Sequence, residues 1–142
     1  PPSPILYFEV TITSMSPQTT VAIGLATVPY PCFRLPGWHD WSIGYHSDDG
    51  RVFVSDDNVG VPYGKPYRLD DTVGCGVDTR TGKVFFTRNG ERMPIVDCAD
   101  VPAPRLTVKP CIGADGKCTL KTNFGTEPFR WQEANDSRAM YA

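Results

Sequence analysis

Histidine, glutamate and runs of like charge are all scarce in this chain of 142 residues. His39 and His46 are its only histidines, and no Gly-x-Ser-x-Gly elbow accompanies them. A hydrolytic triad therefore has no nucleophile in an activating turn, and neither histidine has a metal-ligand partner at a recognisable spacing. The glutamates are Glu9, Glu91, Glu127 and Glu133, none of them two or four positions from another. The aspartates pair only as neighbours (48/49, 56/57, 70/71), and neighbours on a strand point to opposite faces. A retaining glycosidase needs two carboxylates about 5 Å apart, which this pattern does not supply. Lys and Arg number 14 against 16 acidic residues, for a net charge of -2. No two basic residues are adjacent, so the basic footprint of a nucleic-acid binder is missing. No apolar run approaches the roughly 20 residues of a membrane span, and Pro1-Pro2-Ser3-Pro4 does not read as a signal peptide. Cys-x-x-Cys is absent among the 5 cysteines, which argues against zinc or redox chemistry. EF-hand spacing is absent too, and Asp48-Asp49-Gly50 and Asp56-Asp57-Asn58 suit hairpin loops without an ion. No catalytic residue, metal or cofactor is expected.

What the chain does have is strand alternation. Hydrophobic residues at 40% and charged ones at 21% are a globular composition, sufficient for one core. Phe8, Val10 and Ile12 share one face of a first strand, and Val21, Ile23 and Leu25 share one face of a second. A loop rich in proline runs from 29 to 40. Residues 41–45 read as a short strand, and Ser47-Asp48-Asp49-Gly50 as the turn into a strand at 51–54. A polar loop occupies 55–69. Strand alternation resumes at 72–77, with Gly74 and Gly76 on the face opposite Val73, Cys75 and Val77, where a neighbouring element packs close. Asn89-Gly90 predicts a type I′ hairpin after a strand at 83–88, because both central residues of that turn need φ > 0. Residues 106–112 and 120–124 read as a final strand pair, and 133–142 as a loose tail. No segment sustains a 3.6-residue apolar period, so no helix is predicted. Many short strands with frequent turns imply an all-β sandwich or barrel.

If Asp115-Gly116 centres a hairpin, Cys111 faces Leu120 and Cys118 faces Gly113, and a Cys111–Cys118 bridge requires a different register. Reduced, buried cysteines are expected, and with them an intracellular protein on the cytoplasmic side.

Six strings, in order, resemble one family. They are Tyr7-Phe8-Glu9-Val10, Val21-Ala22-Ile23-Gly24-Leu25, Leu35-Pro36-Gly37-Trp38 leading into Ser42-Ile43-Gly44-Tyr45-His46, Asp71-Thr72-Val73-Gly74-Cys75, Phe85-Phe86-Thr87-Arg88-Asn89-Gly90, and Thr122-Asn123-Phe124-Gly125. The chain resembles a SPRY domain, nearest the Ran-binding-protein-M branch and the fungal SPRY adaptors of HECT-type ubiquitin ligases. The resemblance implies a bent antiparallel β-sandwich of the concanavalin A-like jelly-roll kind, with little or no helix. The domain would occupy 5–131, with linker residues at 1–4 and a C-terminal tail or linker at 132–142. It also implies a monomeric, non-catalytic module without cofactor. Such a module binds a protein or peptide through its rim loops, commonly as a receptor or scaffold in a ubiquitin-ligase assembly. Two relatives bind peptides in ways that do not carry over. The arginine pair that holds an acidic peptide in histone-methyltransferase complexes matches Ala22 and His46 here, so an acidic ligand is not expected. The Trp-Gly pair of SPRY-SOCS-box proteins is replaced by Gly113-Ala114-Asp115-Gly116.

The expected partner contacts are Arg34, Trp38, His46, Asp48 and Tyr63. Trp38 and Tyr63 would act as apolar anchors and Arg34 as a hydrogen-bonding clamp, because large aromatics and arginine on a stiffened loop carry binding energy well. Phe33, Leu35 and Trp41 are expected to tuck under the loop and close the core. The alternative reading is a carbohydrate-binding module, favoured by sandwich architecture and exposed tryptophans.

Overall fold

Alternating β-branched and aromatic residues form strands nearly throughout the computed structural model, which describes residues 4–56, 58–101 and 107–137, with backbone alone at 98–100 and 137. In chain order the strands are β1 (Ile5–Met15), β2 (Val21–Thr27), β3 (Ser42–His46), β4 (Arg51–Val54), β5 (Val61–Pro62), β6 (Thr72–Asp78), β7 (Lys83–Arg88), β8 (Glu91–Asp100), β9 (Val108–Ala114) and β10 (Cys118–Asn123). One helix, α1 (Gln132–Ser137), follows. Two five-stranded antiparallel sheets result, ordered β10-β1-β6-β7-β8 and β5-β4-β3-β2-β9. The all-β sandwich expected from the sequence is the observed fold.

The faces follow the alternation. Phe8, Val10 and Ile12 of β1 and Val73, Cys75 and Val77 of β6 meet Val21, Ile23 and Leu25 of β2 in one buried core between the sheets. The Asn89-Gly90 hairpin joins β7 to β8, with φ of 52° and 87° at its two central residues, the positive pair that a type I′ turn demands.

Gly74 and Gly76 lie on the outer face of the first sheet, as predicted. A Cβ on Gly74 would stand 2.1 Å from the Tyr7 hydroxyl, and one on Gly76 would stand 2.4 Å from the Phe85 ring. The missing side chains let those two rings lie flat on the sheet. There they form a second apolar cluster with Phe129, Trp131 and Ala134.

The structure departs from or adds to the sequence reading in three places. The strands around Asp115-Gly116 are not a hairpin: β9 pairs with β2 in one sheet and β10 pairs with β1 in the other. The turn crosses between sheets beside the equivalent crossing at 16–20. Ser16 N–H donates to the Lys117 carbonyl (3.0 Å) and Thr20 N–H to the Asp115 carboxylate (2.6 Å). Second, the stretch after Asn89-Gly90, to which the sequence reading assigns no element, is the edge strand β8, which tolerates Pro94 because an edge leaves backbone groups unpaired. Third, the tail expected to be loose contains α1, with Ala134 fully buried.

Cys32, Cys75, Cys111 and Cys118 are free thiols, with Cys32 exposed. Cys98 lies outside the described side chains. Among the described residues no helix is long and apolar enough to cross a membrane.

Candidate functional site

Strand registers bring the connections at 16–20, 47–50, 63–71, 89–90 and 115–117 to the same end of the sandwich. Between them lies a groove of about 650 Å³. Met15 and Tyr67 contribute apolar surface to it, the corner at 16–20 and the turn at Ser47 and Asp48 border it, and Lys65, Arg68 and Arg88 bring cationic side chains.

The surroundings are tightly cross-bonded. Tyr67 is buried at 2% exposure, and its hydroxyl reaches the carbonyl oxygens of Tyr45 (2.6 Å) and Val21 (3.1 Å). Ser47 closes the turn from both directions: its N–H donates to the Val21 carbonyl and its Oγ accepts from the Val21 N–H, each at 2.8 Å. Tyr67 N–H donates to the Ser47 carbonyl at 3.1 Å. Asp71 caps the far border by accepting the Arg68 N–H (2.9 Å) and the Asn89 side-chain amide (2.9 Å). A groove held this way loses little conformational freedom on binding.

Of the five residues expected from the sequence, Asp48 lines this groove, with its side chain exposed. Arg34 and Trp38 lie elsewhere, on the loop at 28–41, which folds back over the outer face of the second sheet. Pro36 sits over Gly44, where a Cβ would meet its carbonyl oxygen at 2.1 Å. The Trp38 ring lies 5.4 Å from His46 and 6.1 Å from Phe53, centroid to centroid. Arg34 Nη1 donates to the Trp38 carbonyl at 3.2 Å, so it clamps its own loop.

His46 is only 1% exposed, and its Nε2 lies 2.8 Å from the Pro36 carbonyl oxygen. That places the proton on Nε2. Burial pushes its pKa below the usual imidazole value, against weaker opposing pulls from the Pro36 carbonyl and nearby aspartates. As a direct contact it is therefore corrected: it supports the loop from beneath. Tyr63 is half-buried. Its hydroxyl donates to the Pro94 carbonyl (2.5 Å) and accepts the Phe86 N–H (3.2 Å), tying β8 to the core beside a smaller slot of about 320 Å³.

Of the three residues expected beneath the loop, Leu35 is buried at 7% and Trp41 packs against the core, but Phe33 is 82% exposed. No spacing in the sequence marked Lys65, Arg68 and Arg88 as groove residues, because they come from the β5–β6 loop and from β7. The one local hint was the Pro66-Tyr67 pair, which holds Lys65 and Arg68 on either side of a buried ring. Among the described residues no group of three His, Cys, Asp or Glu is arranged to hold a metal ion, and Asp57 lies outside them.

Comparison with known proteins follows the same line. The SPRY domain family model matches residues 5–127. A SPRY domain-containing protein of Schizosaccharomyces pombe is 43% identical over 131 residues, 92% of this chain and 33% of its own length. Protein ssh4 of Sclerotinia sclerotiorum is 40% identical over 131 residues, 92% of this chain and 24% of its own. A crystal structure of a human SPRY domain superposes with a TM-score of 0.74 at 27% identity, covering 83% of this chain and 75% of that one. The chain thus spans about a quarter to a third of the length of these curated relatives.

Proposed function

This chain belongs to the SPRY domain family, and from that premise we propose that its rim groove receives a segment of a partner protein. SPRY domains are in general protein-interaction modules without enzymatic activity. The observation that carries the reading here is the groove itself: about 650 Å³ of concave surface among the connecting loops, beside a buried tyrosine whose hydroxyl is fully engaged. A preformed cleft that mixes apolar surface with charged side chains is what recognition of an extended segment requires. Asp48 is a direct contact in this reading. Trp38 and Arg34 form a second contact zone on the adjoining face, while His46 and Tyr63 hold the two zones in place.

The wider role we assign is that of a receptor or scaffold in a ubiquitin-ligase assembly, working on the cytoplasmic side. Its support is the resemblance of those six strings to the Ran-binding-protein-M branch and to the fungal SPRY adaptors of HECT-type ligases. The carbohydrate reading has lost the feature that favoured it: Trp131 is 5% exposed, Trp41 packs on the core, and Trp38 lies on His46 and Phe53. Half-buried Trp38, with His46 and Phe53 against it, is then the one indole left for a glycan to stack on, where the reading needed several.

Peptide-display selection on this chain, followed by NMR shift mapping of an enriched peptide, tests the groove. Shifts at Gln18, Asp48, Lys65 and Arg68 support it. Shifts confined to the opposite end, around Arg80 and Lys83, overturn it.

A further inference from the structure

The charge of the groove is opposite to that of the chain. The protein carries a net charge of -2, yet the groove is lined by three cations, Lys65, Arg68 and Arg88, against one carboxylate, Asp48. The positive charge is only partly neutralised from within. Among the described residues, Lys65 Nζ and the Arg68 guanidinium have no hydrogen-bond or ion-pair partner on the protein. Arg88 has one loose pair, Nη2 to the Asp71 carboxylate at 3.6 Å. That carboxylate is already engaged by the Asn89 side-chain amide and the Arg68 N–H, and Arg88 Nε is buried without an acceptor. Of the other acids at this end, Asp70 and Glu91 are exposed but do not line the groove, and two more are engaged. Asp49 pairs with Arg51 at 3.7 Å, and Asp115 accepts the Thr20 N–H at 2.6 Å.

We infer that the occupant of this groove is an acidic segment of a partner protein, in which carboxylates alternate with apolar side chains. Carboxylates would pair with Lys65, Arg68 and Arg88, where arginine offers a two-pronged match to a carboxylate. Apolar side chains would rest on Met15 and on Leu69, which is 48% exposed. Alternation fits because successive side chains of an extended segment point to opposite sides. The sequence-based expectation of no acidic ligand concerned Ala22 and His46, which are buried at 0% and 1% exposure. The cations found here come from other elements, so that expectation does not apply to this groove. The inference rests on the groove being the binding site, and it adds the chemistry of what binds.

The test is fluorescence anisotropy on this chain with a labelled octapeptide of alternating aspartate and leucine. An octapeptide of alternating lysine and leucine, and phosphatidylserine vesicles, are the comparison probes. The acidic peptide should bind, and binding should weaken as salt rises from about 0.05 to 0.3 M, where the screening length shrinks below about 10 Å. The Lys65→Glu/Arg68→Glu double variant, altered only at exposed positions, should lose at least about tenfold in affinity. Asp48→Asn should gain about two- to threefold, because it removes the one opposing charge. Acidic-peptide binding that ignores the double variant overturns the inference. So does preference for the lysine peptide, or vesicle binding in place of peptide binding. A display-selected neutral peptide blocked by Thr20→Arg but indifferent to Lys65→Glu/Arg68→Glu would sink the acidic specificity and leave the groove standing. A selected peptide indifferent to all three substitutions would sink both.

Discussion

Glu9 should decide whether the C-terminal strap stays on the sandwich. Its carboxylate is 3% exposed. Oε1 accepts the Arg130 N–H at 2.9 Å, while Oε2 accepts the Trp131 N–H at 3.0 Å and the Tyr7 hydroxyl at 2.8 Å. Burying the Phe129 and Trp131 rings removes at most about 300–500 Å² of apolar surface, or roughly 8–12 kcal/mol. Ordering the nine residues from Phe129 through α1 opposes this by roughly 9–18 kcal/mol. These two quantities nearly cancel, which leaves the bonds to Glu9 as the deciding contribution. Glu9→Ala strands two amide donors at about 1–3 kcal/mol each, whereas Tyr7 keeps Thr87 Oγ1 at 2.6 Å. A loss of about 2–4 kcal/mol is expected, felt first as local release of the strap. Glu9→Gln, which retains one acceptor oxygen and sets an NH₂ against a donor, should fall between Glu9→Ala and the parent. Amide hydrogen exchange is the assay. The Arg130 and Trp131 amides should lose protection in Glu9→Ala while those of Val73 and Cys75 in β6 remain slow. If all four accelerate together, or if the strap amides stay protected, the reasoning fails.

Three further outcomes follow from particular contacts. The neutral, buried His46 gives a pH dependence whose sign is fixed: the unfolded imidazole takes up a proton near its ordinary value of 6.5 and the folded one only at lower pH. Stability should therefore fall as pH drops below about 6.5 and level off once the folded histidine also protonates; thermal melts from neutral to mildly acid pH should lose that slope in His46→Gln. Gly76→Ala should destabilise by about 1–3 kcal/mol on urea unfolding, because its methyl would press on the Phe85 ring; an unchanged midpoint would refute the close approach. Thiol labelling should discriminate sharply in the native state. Exposed Cys32 should react with iodoacetamide first, whereas burial lifts the Cys111 thiol to about 11 and holds the Cys75 thiol well above its usual range, so both should stay unmodified until the chain unfolds.

The parts of the fold that were legible beforehand depend on near neighbours in sequence. Alternation placed Phe8, Val10 and Ile12 on the core face, and Asn89-Gly90 specified its own turn, because both signals act over a few residues. The glycines at 74 and 76 were legible as a demand for space, though not as to what fills it. Two misreadings and one unassigned stretch share the opposite cause. Whether β9 and β10 pair with each other or cross between sheets is decided by the 16–20 corner, nearly a hundred residues away. Whether the start of the 133–142 tail is loose or packed is decided by Glu9 and by the Tyr7 and Phe85 rings on distant strands, which hold Phe129, Trp131 and Ala134. Pro94 weakened the strand signal of β8, and only its place at the sheet edge makes that proline harmless.

The site was less legible than the fold for the same reason, carried further. Arg34 and Trp38 look like part of a binding loop because an aromatic-rich, proline-stiffened segment has the composition of one. That composition is equally what a loop needs when it must cover the outer face of a sheet. In the structure Gly44 and Gly113 clear the space and Leu35, Pro36 and Trp38 fill it, so much of the aromatic surface is spent on packing. The groove, by contrast, is assembled from β1, the 16–20 corner, the β3–β4 turn, the β5–β6 loop and the end of β7. No one of these segments carries a motif. Its positive charge arises because three cations, spaced across two dozen residues, are brought to one rim that a single carboxylate, Asp48, lines with them. A groove built this way can change its charge by single loop substitutions without disturbing the sandwich.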